Sequence, residues 1–181
     1  NKYSLNVKNL AYIGANKGQD VDEFLSVFPD TKISLFEPQD ELFSYLKKNF
    51  GNNSNISLFN FAIGSSPGKA SMFIADNDGQ SSSFLKPKDH LTEHPDVKFD
   101  LHQKYFDIKT LDELNLEDID LINIDTQGYE MEVLKGSHKT LKYKTKYIIL
   151  EINKKELYEG CPQVKEIDLF SDISCMVCNS S

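Results

Sequence analysis

Five short runs of almost purely apolar residues punctuate the chain: Leu10 to Ile13, Ile33 to Phe36, Ile56 to Phe61, Leu121 to Ile124 and Tyr147 to Ile152. Runs of this length that do not alternate apolar with polar suit strands covered on both faces, and a parallel sheet with crossover helices provides that cover. Between the first two runs, Val21, Phe24, Leu25 and Phe28 fall at i, i+3, i+4 and i+7, an apolar stripe on a helix that Pro29 helps to stop. After Glu37, Pro38 suits a first helical turn, and Leu42, Tyr45 and Leu46 form the next stripe before Gly51 and an Asn-rich turn. The chain reads as α/β: a Rossmann-like, mostly parallel sheet with helices on both faces. Its 181 residues fit one domain over 1–181, without internal repeat or linker.

The rhythm changes after the third run. Ala70 to Ala75 and Lys104 to Lys109 read as strands, and the polar stretch 76–103 between them, with Ser81-Ser82-Ser83 and Pro87, reads as an inserted β-hairpin or lid. A segment this long either folds over a ligand or is a surface excursion. It holds His90, His94 and His102, and the sequence offers none of them a nucleophile or ligand partner, so none receives a role.

Bulk properties exclude several function classes. With 39% hydrophobic and 27% charged residues the chain is neither disordered nor a membrane protein, and no apolar run approaches a bilayer span. The N-terminus lacks a signal-like charged and apolar pair of segments, so a cytoplasmic location is the default. A net charge of -8 argues against nucleic acid, because the 20 basic residues form no visible basic face. Cys161, Cys175 and Cys178 cannot all pair within one chain and read as reduced thiols. Cys175-Met176-Val177-Cys178 has metal-knuckle spacing but lacks a second ligand pair.

The most informative local motif is Leu10-Ala11-Tyr12-Ile13-Gly14-Ala15-Asn16-Lys17-Gly18-Gln19, a strand running into a glycine turn and then a helix. Gly14 lets the backbone turn tightly and approach a ligand, and Gly18 permits close packing at a helix start whose free N–H groups favour anionic groups. A plain βα turn would look similar. Ser34-Leu35-Phe36-Glu37-Pro38 separates the two readings by placing an acid at the end of the second strand, where dinucleotide folds bind ribose hydroxyls about 20 residues beyond their glycines. The competing role for Glu37 is to cap the following helix.

These segments, with Ala62-Ile63-Gly64, Ser81-Ser82-Ser83-Phe84-Leu85, Thr110-Leu111-Asp112, Ile124-Asp125-Thr126-Gln127-Gly128-Tyr129-Glu130 and Val133-Leu134-Lys135-Gly136, resemble the FkbM-type methyltransferases, a group of class I S-adenosylmethionine-dependent O-methyltransferases. The stretch from Asp125 to Gly136 is the most specific part. The resemblance implies that Gly14, Ala15, Asn16 and Gly18 wrap the methionine end of S-adenosylmethionine, that Glu37 with Pro38 holds the ribose, and that Ala62 and Ile63 lie by the adenine. It also implies that Asp125 faces the methionine part or the reacting centre, and that the acceptor is a hydroxyl of a small molecule or glycan, with a sugar preferred. Two features depart from the family pattern. Tyr12 stands where an acid is usual, and after the fifth strand the chain offers at most one short strand, Ile173 to Val177, in place of a final hairpin. The C-terminal hairpin is therefore expected to be abbreviated or the sequence to be a fragment.

Asp125, Glu130 and Glu151 fall at or just after strand ends, where open α/β sheets bind ligands. They are the catalytic candidates: a carboxylate can accept the acceptor hydroxyl's proton, or Asp125 and Glu151 can hold Mg²⁺. Glu130 can equally cap the helix that starts near Gly128. Two rivals remain. One is an NAD-dependent oxidoreductase or epimerase, for which Tyr105-Phe106-Asp107-Ile108-Lys109 spells Y-x-x-x-K, although on a strand. The other is a cofactor-binding scaffold without activity.

Overall fold

The computed structural model describes residues 5–100, 102, 104–163, 166, 167 and 175–179. The main sheet contains β1 (Asn9–Ile13), β2 (Lys32–Phe36), β3 (Ile56–Phe59), β7 (Leu121–Ile124), β8 (Tyr147–Ile152) and β9 (Cys175–Asn179). Their order is β3-β2-β1-β7-β8-β9, and every pairing is parallel. A second sheet joins β4 (Ala62–Ile63), β6 (Lys104–Lys109) and β5 (Gly68–Met72) in the order β4-β6-β5, with β5 and β6 antiparallel. The helices are α1 (Val21–Val27), α2 (Asp40–Phe50), the short α3 (His90–Glu93), α4 (Glu130–Gly136) and α5 (His138–Tyr143), with a 3-10 turn at Leu111–Glu113.

The strand alternation sorts the core into two halves. Leu10, Tyr12, Ile33, Leu35 and Leu121 join Val21 of α1 and Leu46 of α2 on one face. Ala11, Ile13, Phe36, Ile122, Ile124, Ile148 and Leu150 join Val133, Leu134 and Leu141 of α4 and α5 on the other. Burial on both faces is the reason these strands read as continuous apolar runs. In α1, Val21 is buried and Phe24, Leu25 and Phe28 pack partly against the same core. In α2 only Leu42 and Leu46 are buried; Tyr45 is exposed, with the Lys17 ammonium 5.8 Å from its ring centre. Acids in the first turn of α2 and Lys47 and Lys48 in its last complement the helix dipole.

Three boundaries differ from expectation. The third apolar run is broken: β3 ends at Phe59, and the Asn60 side-chain amide donates to the Glu37 and Pro38 carbonyls, each at 3.1 Å. The chain then enters β4, which leaves the main sheet and pairs with β6. Helix α2 begins at Asp40 after an extended Gln39, so Pro38 precedes the helix and is not in its first turn. The strand expected at Ala70 to Ala75 lies at Gly68–Met72, with Phe73 and Ala75 continuing as single bridges to Ser83 and Phe99.

At the far edge, β9 covers part of the strand expected at Ile173 to Val177; Ile173 lies outside the described residues, as do the side chains of Cys175 and Cys178. Among the described residues no helix is long and apolar enough to cross a membrane. The order of the main sheet reverses between β1 and β7, and a crevice opens at their C-terminal ends, where such sheets bind ligands.

Candidate functional site

The glycine turn is built by backbone contacts across that crevice. The amides of Gly14 and Ala15 both donate to the Phe36 carbonyl, at 3.1 and 3.0 Å, which fastens the end of β1 to the end of β2. Gly14 has φ +81°, and a Cβ there would stand 1.8 Å from the Asp125 carbonyl oxygen. Only glycine allows the turn and the loop after β7 to approach this closely. Gly18, at φ +76°, faces Phe50 and Leu46 of α2, so it serves packing beneath the turn.

Glu37 closes the turn from the other side. It is 3% exposed; its Oε2 accepts the Asn16 amide at 2.9 Å and its Oε1 the Gln39 amide at 2.8 Å. Burial pushes its pKa up to about 7 against the pull of those two amides. The capping contact to Gln39 is thus present, yet each carboxylate oxygen keeps a further acceptor position, enough for a pair of vicinal hydroxyls.

These elements surround a cavity of about 560 Å³. Of the residues singled out in the sequence, Gly14, Asn16, Glu37, Pro38, Ala62, Ile63, Asp125 and Glu151 line it. Ala15 and Gly18 do not: Ala15 is fully buried in the core beneath the turn, and both shape the turn from outside the cavity. Glu130 does not line it either. Its Oε1 accepts the Thr126 amide and hydroxyl and the Gly128 amide at 3.2, 3.1 and 2.9 Å, so it ties the post-β7 loop to the start of α4. These contacts occupy Glu130 Oε1 with donors just ahead of α4, at the helix start where a capping role was the other reading.

Asp125 and Glu151 meet at the cavity floor. The Gln127 side-chain amide donates to Asp125 Oδ1 at 2.8 Å and reaches Glu151 Oε2 at 3.5 Å. Burial, and then the adjacent Glu151 charge, hold Asp125 well above the usual carboxylate range. Among the described residues no three His, Cys, Asp or Glu side chains gather as a metal cluster.

The insert supplies the roof. Asn77, Gly79, Gln80, Ser81, Ser82 and Phe84 line the cavity, and Phe84 packs on Tyr129 with ring centres 5.1 Å apart. The insert is tied down at both ends of the site. Lys17 pairs with Asp78 at 2.9 Å and the Asn16 side chain donates to the Asp78 carbonyl. The Ser83 hydroxyl donates to the Gln127 carbonyl at 2.7 Å, and buried Tyr158 donates to the Ser81 carbonyl at 2.8 Å. His94 is exposed and reaches the cavity rim, whereas His90 is buried against His94, Phe99 and Tyr158, and burial lowers its pKa. His102 does not line the cavity. Asp20, Asn77, Gly79 and Gln80 were not singled out in the sequence, and Ser81, Ser82, Phe84 and Gln127 stood there only as parts of the family motifs, without a role. The Y-x-x-x-K residues Tyr105 and Lys109 lie on β6 and neither lines the cavity.

A parallel sheet reversing beside a glycine turn, with an acid ending the second strand, defines a Rossmann-like cofactor domain. The methyltransferase FkbM domain family matches residues 13–173, and the chain belongs to that family. It is 35% identical over 158 residues to the 2-O-methyltransferase NoeI of Sinorhizobium fredii, an alignment covering 82% of this chain and 64% of that protein. The chain thus spans just under two thirds of that relative's length. Its fold matches the crystal structure of methyltransferase FkbM from Methylobacillus flagellatus KT at a TM-score of 0.53 and 14% identity, over 78% of this chain and 33% of the other.

Proposed function

We propose that this chain is one S-adenosylmethionine-binding domain that transfers a methyl group to a hydroxyl of a small molecule or glycan, with a sugar-type acceptor preferred. One observation carries the reading: Asp20, Glu37, Asp125 and Glu151 line the cavity, and among the described residues no Lys or Arg joins them in the lining. A carboxylate-lined cleft favours a ligand of net positive charge and disfavours one carrying a pyrophosphate. S-adenosylmethionine carries a sulfonium and an ammonium against one carboxylate, whereas NAD brings two phosphates, so the oxidoreductase reading loses ground.

When bound, S-adenosylmethionine supplies an electrophilic methyl on sulfur. The protein's part is alignment and proton handling. Glu37 would accept from the ribose hydroxyls, Asn16 and Gly14 would shape the amino-acid end, and Ala62 with Ile63 would flank the base. Glu151 and Asp125 line the cavity, where a carboxylate would accept the proton of the attacking hydroxyl, and Gln127 bridges the two acids. This scheme runs without metal; Mg²⁺ on Asp125 and Glu151 is the competing scheme, and full turnover in a chelator separates them. The roof supports a polyhydroxylated acceptor, since Asn77, Gln80, Ser81 and Ser82 offer amides and hydroxyls beside the Phe84–Tyr129 pair. The relative's name also specifies transfer to oxygen at a 2-position. Buried, unpaired Cys161 fits a reducing compartment such as the cytoplasm.

The test is incubation with methyl-labelled S-adenosylmethionine and a panel of mono- and oligosaccharides, read by mass spectrometry. Label on a sugar hydroxyl is expected. Tight cofactor binding with no label on any hydroxyl compound would instead favour a scaffold without activity.

A further inference from the structure

Tyr12 occupies the end of β1 on the α1 side of the sheet and is 2% exposed. Its ring meets Phe24 of α1 edge-on at 5.8 Å, which fixes the hydroxyl toward the start of that helix. There it donates to Asp20 Oδ2 at 2.9 Å, and both residues line the cavity. Asp20 occupies the N-cap position of α1, yet its side chain makes no capping hydrogen bond. Among the described residues no cation pairs with it, and Tyr12 is the one side chain that holds its carboxylate. Burial and the Asp20, Asp125 and Glu151 charges all push the Tyr12 pKa up, so the phenol stays the donor to the Asp20 carboxyl.

Resting on the cofactor reading above, we infer that Asp20, oriented by Tyr12, is the counter-charge for the α-ammonium of the bound amino-acid moiety. A phenol cannot itself neutralise an ammonium, but it can hold a carboxylate one helix start away in a fixed rotamer. The acidic group is thereby delivered from the first residue before α1 and not from the strand. Tyr12 is a positioning residue and Asp20 the group in contact with ligand. The pair sets specificity for a free amino group on the ligand and contributes nothing to recognition of the nucleoside.

Calorimetry on the whole chain tests this with three probes: S-adenosylhomocysteine, its analogue lacking the α-amino group, and 5′-methylthioadenosine, which lacks the amino-acid end. Asp20→Asn is expected to weaken S-adenosylhomocysteine binding about tenfold or more, the loss of one charge-assisted contact, and to leave the other two probes within about twofold. Tyr12→Phe should show the same pattern with a smaller loss. Retained 5′-methylthioadenosine binding reports a folded site in either variant. Equal weakening of all three probes, or unchanged S-adenosylhomocysteine affinity in Asp20→Asn, overturns the assignment while leaving the cofactor reading standing. A wild-type chain that binds none of the three overturns both.

Discussion

The backbone amide of Asn16 donates to Glu37 Oε2 at 2.9 Å, so the glycine turn after β1 and the acid that ends β2 form one rigid edge of the cavity. That bond fixes where the carboxylate stands before any ligand arrives. Glu37→Ala should therefore weaken S-adenosylhomocysteine binding about 10- to 100-fold by calorimetry, through loss of two charge-assisted acceptors and loosening of the turn. Glu37→Gln should lose less. Unchanged affinity in Glu37→Ala would refute the ribose assignment.

The same carboxylate makes stability depend on pH. Its pKa rises from an ordinary 4.5 to about 7 on folding, so its contribution is fully present below pH 4.5 and is lost as pH climbs through 7. The loss is on the order of 3 kcal/mol. Buried Asp125 and Glu130 are shifted in the same direction and add to the trend. Urea unfolding at pH 5 and pH 8 should show the wild-type protein less stable at the higher pH, and Glu37→Gln should flatten that slope. An identical slope in the variant contradicts the burial argument.

Asp125 gives a second pH-linked prediction. Its carboxyl is held high by burial and by Glu151, and a sulfonium placed beside it reverses that balance by favouring the carboxylate. Binding of S-adenosylmethionine should release more protons than binding of S-adenosylhomocysteine, whose sulfur is neutral. Calorimetry in buffers of different ionisation enthalpy measures the difference, and Asp125→Asn should abolish it. In the same variant turnover should fall about 100-fold or more with cofactor affinity changed far less.

The roof predicts a separable effect. Tyr158 is fully buried and its hydroxyl satisfies the Ser81 carbonyl at 2.8 Å while reaching Gln127 Oε1 at 3.4 Å. Tyr158→Phe should cost about 1 to 3 kcal/mol, because the carbonyl keeps its burial and loses its donor. Hydrogen exchange should rise first in residues 76–103, and cofactor dissociation should quicken. Uniform exchange across the domain would mean that Tyr158 supports the core and not the roof.

Much of the fold was legible because parallel strands with both faces covered leave unbroken apolar runs, and the runs at 121–124 and 147–152 coincide with β7 and β8. The third run misled because the turn after Phe59 depends on Asn60 reaching carbonyls on another segment, a tertiary contact with no periodic signal. The site divides likewise. Gly14, Glu37 and Asp125 sit at strand ends and announce themselves by position. Asp20 looks like an ordinary helix cap until Tyr12 is seen to hold it, and Gln127 becomes visible only once β7 and β8 bring Asp125 beside Glu151. The insert's part in the roof rests on irregular contacts, such as the Asn77 side chain meeting Ser81 on both its atoms, which no hydrophobic pattern encodes.

The acid-lined cavity should take S-adenosylmethionine and not an anionic dinucleotide. Side-by-side titration calorimetry of the unmodified chain with S-adenosylhomocysteine and NAD measures it directly. Saturable binding of S-adenosylhomocysteine at micromolar or tighter affinity, with NAD at least about 100-fold weaker, is the predicted result. Preferential binding of NAD would contradict the account.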